Sequence, residues 1–378
     1  MNHSGKIDLS IVTLLLVMCI VSLLSISTAY QLGLSNENYT TKQIVFYIVS
    51  FAVLFSMAYV DPDFLKRISI YIYIGCLLLL LGILLLPENI SPTINGAKGW
   101  FRYGGVSLQP AELSKVGFIL ALSSIAKKHS LYEPSLRNDL QQLLKMLGLF
   151  IPIAMMLISY PDLGNLLTHA FILFCIMLVS TIRPRTLVYL LSLPTAFFVA
   201  AFLLYRYATE FFFESVLGLL SDYQAKRFYG WLQPNEYTEA GHQLIQSITS
   251  IGAGQLSGYQ NITHVPYAYS DMIFSIIGSQ YGFIGATLVI LMFFLLIYRI
   301  TVISLNYHDH FGKYVGAGVS GLITYHVFQN IGMSIGLLPI TGIGLPFISY
   351  GGSALVTVMV AIGFMLSLYR HTKTYMFE

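Results

Sequence analysis

Residues 271–297 read DMIFSIIGSQYGFIGATLVILMFFLLI, a single aspartate followed by an apolar run longer than the roughly 20 residues that cross a bilayer as a helix. Asp271 stands where the more polar stretch 205–270 gives way to this run, and no lysine or arginine stands beside it in the sequence. A carboxylate at membrane depth is costly to keep and indicates a functional site. The stretch therefore predicts a membrane helix with a functional carboxylate at its entrance.

The rest of the 378-residue chain has the composition of a polytopic membrane protein. Hydrophobic residues make up 56% of it, charged residues only 10%, and the mean hydropathy is +0.72. The surface of a soluble domain of this length would carry far more charge. Apolar stretches of about 17 or more residues predict an all-α fold of ten membrane helices, at roughly 10–33, 43–60, 68–86, 110–126, 141–159, 164–181, 186–204, 271–298, 313–337 and 350–369.

The basic residues predict which side of the membrane each loop faces. Ten spans place both termini on one side, and lysine and arginine favour the loops of that side by roughly two to one, as cytoplasmic loops do. We therefore expect both termini in the cytoplasm and 205–270 as a large extracytoplasmic loop within a single membrane domain, 1–378. The first run, 9–34, is too long for a secretory signal and is expected to remain as a helix.

The cysteines and the net charge exclude other classes of site. Cys19, Cys76 and Cys175 fall inside apolar spans without paired spacing, so neither a disulfide framework nor a metal site is predicted. The net charge of +3 follows from the basic inner loops and does not indicate a nucleic-acid partner.

Two loops, 87–108 and 205–270, are too long to be simple connections, and loops of this length are usually functional or disordered. The second is rich in aromatic and apolar residues and contains an amphipathic stretch near 242–251. We expect it to fold over a deep outward-facing cavity, with spans four, five and eight below.

Several motifs resemble the signature of the SEDS family, the shape, elongation, division and sporulation proteins that include RodA, FtsW and SpoVE. The resemblance extends over nearly the whole chain. Its motifs are GAKGW at 96–100, QPAELSK at 109–115, YPDLG at 160–164, DYQAKR at 222–227, YSDMIF at 269–274 and LPITGIGLPFISYGGS at 338–353. The last is close to the family's LPxTGxxLPFxSYGGS and is highly specific.

The resemblance implies a peptidoglycan glycosyltransferase that polymerises lipid II together with a class B penicillin-binding protein transpeptidase. The family's catalytic aspartate, in its motif HTDFIF, corresponds to Asp271. Extending a β-1,4 glycan with inversion requires a general base for the attacking hydroxyl, and a partly desolvated carboxylate suits that task. The pyrophosphate leaving group requires positive charge, for which Lys115, Arg102 and Lys98 are the candidates.

Each candidate also has a structural interpretation that the sequence leaves open. Asp271 and Asp162 are suited to cap the helices that follow them. Glu112 and Lys115, three residues apart on one helix face, either line the cavity or neutralise one another. Arg102 either meets the pyrophosphate or anchors the chain at the lipid headgroups.

The glycine-rich run 342–352 is irregular backbone, which a membrane protein tolerates only when it is buried in protein or lines a cavity. It is predicted either to pack as a re-entrant element or to line the substrate cavity. In the second case Ser349, Ser353 and Thr341 would offer hydroxyl groups to a sugar or phosphate.

Departures from the family pattern keep other functions open. The family's GEE-x-G is GSQYG here, so Ser279 and Gln280 replace two carboxylates. A divalent cation, Mg²⁺ or Mn²⁺, is compatible with the pyrophosphate chemistry, and no organic cofactor is expected. The alternatives are a lipid II flippase and a non-catalytic scaffold for the transpeptidase. The sequence does not assign the chain to elongation, division or sporulation.

Overall fold

The computed structural model describes residues 6–35, 37–94, 97–103, 106–236, 238–259 and 265–372. Thirteen α-helices lie in these ranges, with a π-helical turn, Phe212–Val216, and a 3-10 turn, Leu217–Leu219, between α8 and α9. The helices are α1 (Leu9–Gln31), α2 (Tyr39–Ala58), α3 (Pro62–Leu85), α4 (Pro110–His129), α5 (Leu136–Ser159), α6 (Leu163–Val179), α7 (Pro184–Tyr207), α8 (Thr209–Phe211), α9 (Asp222–Leu232), α10 (Thr238–Ala253), α11 (Ile273–Asn306), α12 (His310–Ser334) and α13 (Gly352–Arg370).

Four short strands interrupt the helices between α3 and α4. They form two antiparallel pairs, β1 (Thr93–Ile94) with β2 (Ala97–Lys98) and β3 (Phe101–Tyr103) with β4 (Val106–Leu108). Arg102 pairs with Ser107 in the second hairpin, which leads directly into α4. These hairpins add to the predicted all-α fold without changing its class.

Seven of the described helices, α1, α2, α3, α5, α7, α11 and α13, are long and apolar enough to cross a membrane. The prediction of a mostly helical, multi-pass membrane protein is therefore confirmed. The other three predicted spans correspond to α4, α6 and α12. Of these, α6 has only 17 residues, and α4 and α12 carry polar side chains on largely buried faces. The count of ten crossing helices stays a prediction.

The core forms around α4 and α12, which lie inside the bundle. α12 packs against α4, α6 and α11, α4 packs against α3, and α13 packs against α2. Phe118, Tyr314 and Phe293 are among the largest side chains that are fully buried there. By contrast, none of the described residues of α7 is buried, so this helix lies at the periphery.

Polar caps explain where many of the helices begin. A side-chain oxygen that accepts from backbone N–H groups of the first turn satisfies donors that would otherwise lack a partner. Such caps are provided by Asp8, Asn38, Asp61, Ser135, Asp162, Ser221 and Asp309. Ser221 and Gln224 form a reciprocal capping box that fixes the start of α9.

α11 is kinked at Gly282, whose backbone lies at φ +62° and ψ −161°. The turn after α10 inserts at this point, where Phe283 N donates to Gln255 O at 2.9 Å. A Cβ at residue 282 would lie 2.5 Å from Gly258 N, so only glycine fits. The segment 254–259 therefore packs closely against α11 around the kink.

A charged cluster joins three elements at the opposite end of α11 from Asp271. Asp309 accepts from Lys66 Nζ at 3.0 Å and from Lys127 Nζ at 2.5 Å, and it also caps α12 through Phe311 N. Burial alone would raise the pKa of Asp309, but these hydrogen bonds outweigh it and lower the pKa to about 2. The cluster therefore ties α3, α4 and α12 together.

Asp309→Asn is expected to lower the thermal stability of the detergent-solubilised protein at pH 7. Because the folded pKa is depressed, the stabilisation is present above the unfolded value of about 4 and is lost as the pH falls towards 2. The difference in melting temperature between wild type and variant should shrink over that interval. Glu37→Gln, at the exposed pair with Lys42, should show no difference at either pH. A pH-independent deficit in Asp309→Asn would contradict the electrostatic explanation.

Candidate functional site

A cavity of about 1190 Å³ opens at the end of the bundle where α11 begins. The starts of α4, α6, α9 and α13 meet there, together with the irregular segment between α12 and α13. Seven of the predicted site residues line it: Asp271, Glu112, Asp162, Lys98, Thr341, Ser349 and Ser353. The expected floor is only partly found, because span four contributes residues, span eight contributes Asp271, and the described part of span five contributes none.

Asp271 lies in the turn that precedes α11 and does not cap the helix. The capping position is Met272, and no side-chain hydrogen bond closes this helix end. The capping interpretation of Asp271 is therefore wrong in this fold. Its carboxylate is free to face the cavity.

The surroundings of Asp271 favour its protonated form more than water would. Burial raises the pKa of this carboxyl to about 6, although the positive charge of Arg227 and a hydrogen bond from Ser270 oppose the shift. A group with a pKa near 6 is ionised at neutral pH and is still basic enough to accept a proton during a reaction. Asp271 thus has the properties of a general base.

Arg227 of α9 and the Asp271 carboxylate both lie next to Gly342. A Cβ on Gly342 would lie 3.3 Å from Asp271 Oδ2 and 3.4 Å from Arg227 Nη1, and the glycine itself has a φ of +77°. Arg227 Nη1 also donates to Ile340 O at 2.9 Å, which fixes the guanidinium beside the cavity. Arg227 was missed as a site residue, because it precedes Asp271 by 44 positions in the sequence.

Asn330 and Ser349 hold the backbone on which Asp271 is mounted. Asn330, fully buried on α12, donates from Nδ2 to Asp271 O at 2.7 Å and to Ile343 O at 2.8 Å. The Ser349 hydroxyl donates to Ser270 O at 2.6 Å and accepts from Leu345 N at 2.7 Å. The Ser349 hydroxyl is thus engaged in positioning the turn.

Asn330→Leu should lower activity by displacing Asp271 while leaving its carboxylate in place. The change removes both donated hydrogen bonds and leaves two carbonyl groups without this donor, at a cost of about 1–3 kcal/mol each. Turnover and thermal stability should therefore fall together. Asn138→Leu, which removes an exposed amide donating to Glu133 O, is the matched control. Full activity in Asn330→Leu would rule out this positioning role.

Glu112 and Lys115 form a buried ion pair next to the cavity. Lys115 Nζ donates to Glu112 Oε1 at 2.6 Å, and it lies 3.1 Å from His326 Nε2. Glu112 lines the cavity, whereas Lys115 is fully buried behind it and does not. The two charges are therefore paired, and of the two residues only Glu112 lines the cavity, so Lys115 is not placed to face a pyrophosphate. The described contacts indicate that Lys115 fixes the orientation of Glu112.

Of the remaining predicted site residues with charged side chains, Asp162 and Lys98 line the cavity and Arg102 does not. Asp162 caps α6 through Asn165 N at 3.0 Å and also lines the cavity, so both interpretations of this residue hold. Lys98 lines the cavity as expected. Arg102 is exposed on β3 and is not among the lining residues. Lys226, which neighbours Arg227, lines the cavity and was missed.

The glycine-rich segment between α12 and α13 is both buried and cavity-lining. Its carbonyl groups find partners on α1 and α2: Ser22 donates to Ile348 O, and the Tyr47 hydroxyl donates to Phe347 O. The Ser353 hydroxyl accepts from Gln109 N at 3.0 Å, which joins the starts of α13 and α4. The segment therefore both packs inside the protein and lines the cavity, as the two interpretations of its sequence predicted.

The helix starts around the cavity add a positive potential. The N-terminal end of an α-helix carries partial positive charge and free N–H groups, which favour anions. α4, α6, α9 and α13 all begin at the cavity wall, and Lys98, Lys226 and Arg227 add full charges. The site is thus suited to a polar substrate with one strongly anionic part.

A divalent cation does not find a complete protein site here. No three histidine, cysteine, aspartate or glutamate side chains among the described residues are grouped so that they could share an ion. Mg²⁺ is commonly held by one or two carboxylates and substrate phosphates, so any ion would depend on the substrate.

The chain was compared with protein families and with solved structures. The model of the FtsW/RodA/SpoVE family, described as cell cycle protein, matches residues 6–374. The chain belongs to this family. It is 31% identical to the "Probable peptidoglycan glycosyltransferase FtsW" of Wigglesworthia glossinidia brevipalpis, over 95% of this chain and 90% of that protein. It is 29% identical to stage V sporulation protein E of Bacillus subtilis, over 89% and 88%.

Two solved structures share the fold. A chain from a peptidoglycan synthase complex, studied for how it coordinates polymerization and crosslinking, aligns with a TM-score of 0.79 at 24% identity, over 97% of this chain and 98% of that one. The rod shape determining protein RodA of Thermus thermophilus aligns with a TM-score of 0.69 at 22% identity, over 98% and 99%. The helical arrangement around the cavity is therefore that of this family.

Proposed function

We propose that this chain is a peptidoglycan glycosyltransferase that polymerises lipid II into glycan strands by inverting transfer. The observation that carries the proposal is the Asp271 carboxyl, with a pKa of about 6, next to Arg227 in a large cavity. The names of the FtsW relatives support the same reaction class. Lipid II is an undecaprenyl-pyrophosphate-linked disaccharide peptide, which has both the polar and the anionic part that the cavity suits.

Asp271 acts as the general base in this mechanism. The 4-hydroxyl of the acceptor sugar attacks the anomeric carbon of the donor, and Asp271 takes the hydroxyl proton as the new C–O bond forms. The bond to the pyrophosphate breaks on the opposite face of the sugar, which inverts the anomeric centre. A base of this kind contributes about 10²–10⁴-fold to such a rate. One carboxylate is sufficient because the leaving group needs no proton.

The pyrophosphate leaves towards the positive side of the cavity. Lys98, Lys226 and Arg227 and the helix starts provide charge that is in place before the reaction, so little reorganisation is needed as negative charge develops. Arg227 then has two roles, since it also keeps Asp271 ionised. Glu112 and Asp162 lie in the same cavity and are proposed to contact the sugars.

The membrane arrangement follows from the same chemistry. We assign both termini to the cytoplasm of a bacterial cell and the cavity to the outer side of its plasma membrane, where glycan strands are assembled. The polyprenyl tails leave the cavity sideways between helices into the lipid. A class B penicillin-binding protein transpeptidase is the partner that crosslinks the strands, in keeping with the synthase complex whose chain shares this fold.

The test is lipid II polymerisation by the purified protein, alone and with a transpeptidase from the same organism, in the presence and absence of EDTA. Glycan ladders are expected from the wild type, and their loss with EDTA would show that a divalent cation takes part. Absence of ladders even with the partner would contradict the proposal. Lipid II transfer across vesicles without polymerisation would instead indicate a flippase, and neither activity would indicate a scaffold.

A further inference from the structure

Two buried polar atoms lie at the helix ends that flank the turn between α5 and α6, and neither has a hydrogen-bond partner among the described residues. The Tyr160 hydroxyl and the Asn165 Oδ1 atom have no hydrogen-bond partner within the described part of the chain. Both side chains line the cavity, and they are only 2% and 5% exposed. An unmet hydrogen bond at such a buried position is costly. Because both side chains line the cavity, the missing partners are expected to come from a bound molecule.

The neighbouring contacts determine which atom of the Asn165 amide is free. Asn165 Nδ2 donates to Asp162 Oδ2 at 2.7 Å, and an ionised carboxylate can only accept. The NH₂ group therefore faces Asp162, and Oδ1 is left as an unused acceptor. Asp162 Oδ1 also accepts from Asn165 N at 3.0 Å, so the same carboxylate fixes the backbone and the side chain of Asn165.

Tyr160 provides the complementary donor. Burial, with a smaller effect from Asp162, raises the pKa of the Tyr160 phenol, so that it stays protonated and able to donate. Gln224 of α9 donates to Pro161 O at 3.3 Å and holds the turn against the roof of the cavity. One donor, at the end of α5, and one acceptor, in the first turn of α6, are thus held on either side of this turn.

This pair matches an amide and not a phosphate. A secondary amide offers one N–H and one C=O, whereas a pyrophosphate only accepts and would be repelled by Asn165 Oδ1 and by the nearby Asp162 carboxylate. The cations of the cavity, Lys98, Lys226 and Arg227, come from other elements, β2 and α9. The cavity thus offers Tyr160 and Asn165 to a neutral polar part of the substrate and the cations to its anionic part.

We propose that Tyr160 and Asn165 form a subsite for a secondary amide of the substrate. The amide N–H donates to Asn165 Oδ1, and its C=O accepts from the Tyr160 hydroxyl. This inference rests on the proposed function, in which the substrate carries such amides in two places: the acetamido groups of its sugars and its stem peptide. Tyr160 stands where the family's QPDLG motif has glutamine, so a phenol donates here in place of a side-chain amide.

The test compares wild type, Tyr160→Phe and Tyr325→Phe. The Tyr325 hydroxyl is also buried without a described partner, but Tyr325 does not line the cavity, which makes it the matched control. Thermal unfolding is measured without substrate. The value of kcat/KM is measured for lipid II, for analogues in which a hydroxyl replaces the acetamido group of either sugar, and for lipid II without the stem peptide.

Tyr160→Phe should melt at the same or a higher temperature than wild type, because it removes an unsatisfied group. Its kcat/KM for lipid II should fall about tenfold, the effect of losing one hydrogen bond of ordinary strength. Wild type and Tyr325→Phe should lose a similar factor on the analogue that lacks the bound amide, and Tyr160→Phe should lose nothing further. The analogue that shows this pattern identifies the sugar or the peptide as the source of the amide.

Two results would overturn the subsite. A lower melting temperature with unchanged discrimination in Tyr160→Phe would mean that the hydroxyl has a structural partner, such as an ordered water. If kcat/KM falls equally on every analogue for all three proteins, the Tyr160 hydroxyl does not bind an amide of the substrate. If the wild type does not polymerise lipid II, the proposed function fails separately. The binding affinities of the three proteins for lipid II and its analogues are then compared. A preference for lipid II over one analogue that is lost in Tyr160→Phe would still support the subsite, and no such preference in the wild type would refute it.

Discussion

Asp271→Asn is expected to lower the rate of lipid II polymerisation by about 10²–10⁴-fold, the usual contribution of a general base. Asparagine has nearly the same shape but cannot accept the proton of the attacking hydroxyl. The fall should appear in kcat, because substrate binding relies mainly on the cations and the helix starts. Glycan ladders quantified over time at saturating lipid II measure the effect.

The stability of the same variant separates chemistry from folding. The folded pKa of Asp271 is raised, so its ionisation at neutral pH opposes folding, and this cost is absent in the asparagine variant. Asp271→Asn should therefore melt at the same or a higher temperature than wild type at pH 7. Asp63→Asn, at an exposed ion pair with Lys66, is the control and should keep full activity. Ladders of wild-type intensity from Asp271→Asn would place the base elsewhere.

Glu112→Leu is expected to destabilise the protein by about 3–5 kcal/mol, the cost of leaving one member of a buried ion pair without its partner. Lys115 is fully buried, and without Glu112 its ammonium would face His326 alone among the described hydrogen-bond partners. The variant should be produced in low yield and should unfold at markedly lower temperature. Thermal unfolding in detergent, followed by size-exclusion chromatography, measures the effect.

The double variant Glu112→Leu/Lys115→Met is the matched control for this prediction. Replacing both charges by apolar side chains of similar size should restore most of the stability, because no buried charge is left unpaired. Activity should not return, since Glu112 is proposed to contact the substrate. A double variant as unstable as Glu112→Leu would show that packing, and not the unpaired charge, causes the loss.

Most of the helices could be predicted because a membrane-spanning helix requires a long apolar run in the sequence. Apolar runs of sufficient length must form helices in a bilayer, and the predicted span 164–181 corresponds to α6 at Leu163–Val179. The errors occur where the first or last turns of a helix are polar. The span predicted at 68–86 begins at Pro62, because Lys66 and Arg67 belong to the first turns of α3.

Asp271 could be predicted as a site residue because a carboxylate at the start of an apolar run is conspicuous. The partners of Asp271 were not, since Arg227 and Asn330 reach it from α9 and α12 through the tertiary fold. The direction of Lys115 was also hidden. Helical spacing pairs it with Glu112 but does not show which of the two faces the cavity. Sequence patterns thus identify the elements and the ionisable groups, while side-chain direction depends on packing.

The neutral residues that replace the family's acidic pair have a local explanation. Gln280 Nε2 donates to Thr28 Oγ1 at 2.9 Å and links α11 to α1, next to the kink at Gly282. Neither Ser279 nor Gln280 lines the cavity among the described residues. Neither side chain is therefore placed to contact a substrate in the cavity.

The most direct measurement of the central claim is the pH dependence of kcat/KM for lipid II between pH 5 and pH 8. Because Asp271 must be ionised to accept a proton, and burial raises its pKa to about 6, activity should fall as the pH decreases through that value. Arg227→Gln should move this acid limb to higher pH, because the positive charge that favours the ionised form is removed. A limb at about 6 that shifts upward in the variant is the expected result. A profile that is flat across this range, or unmoved in Arg227→Gln, would contradict the assignment of Asp271 as the general base.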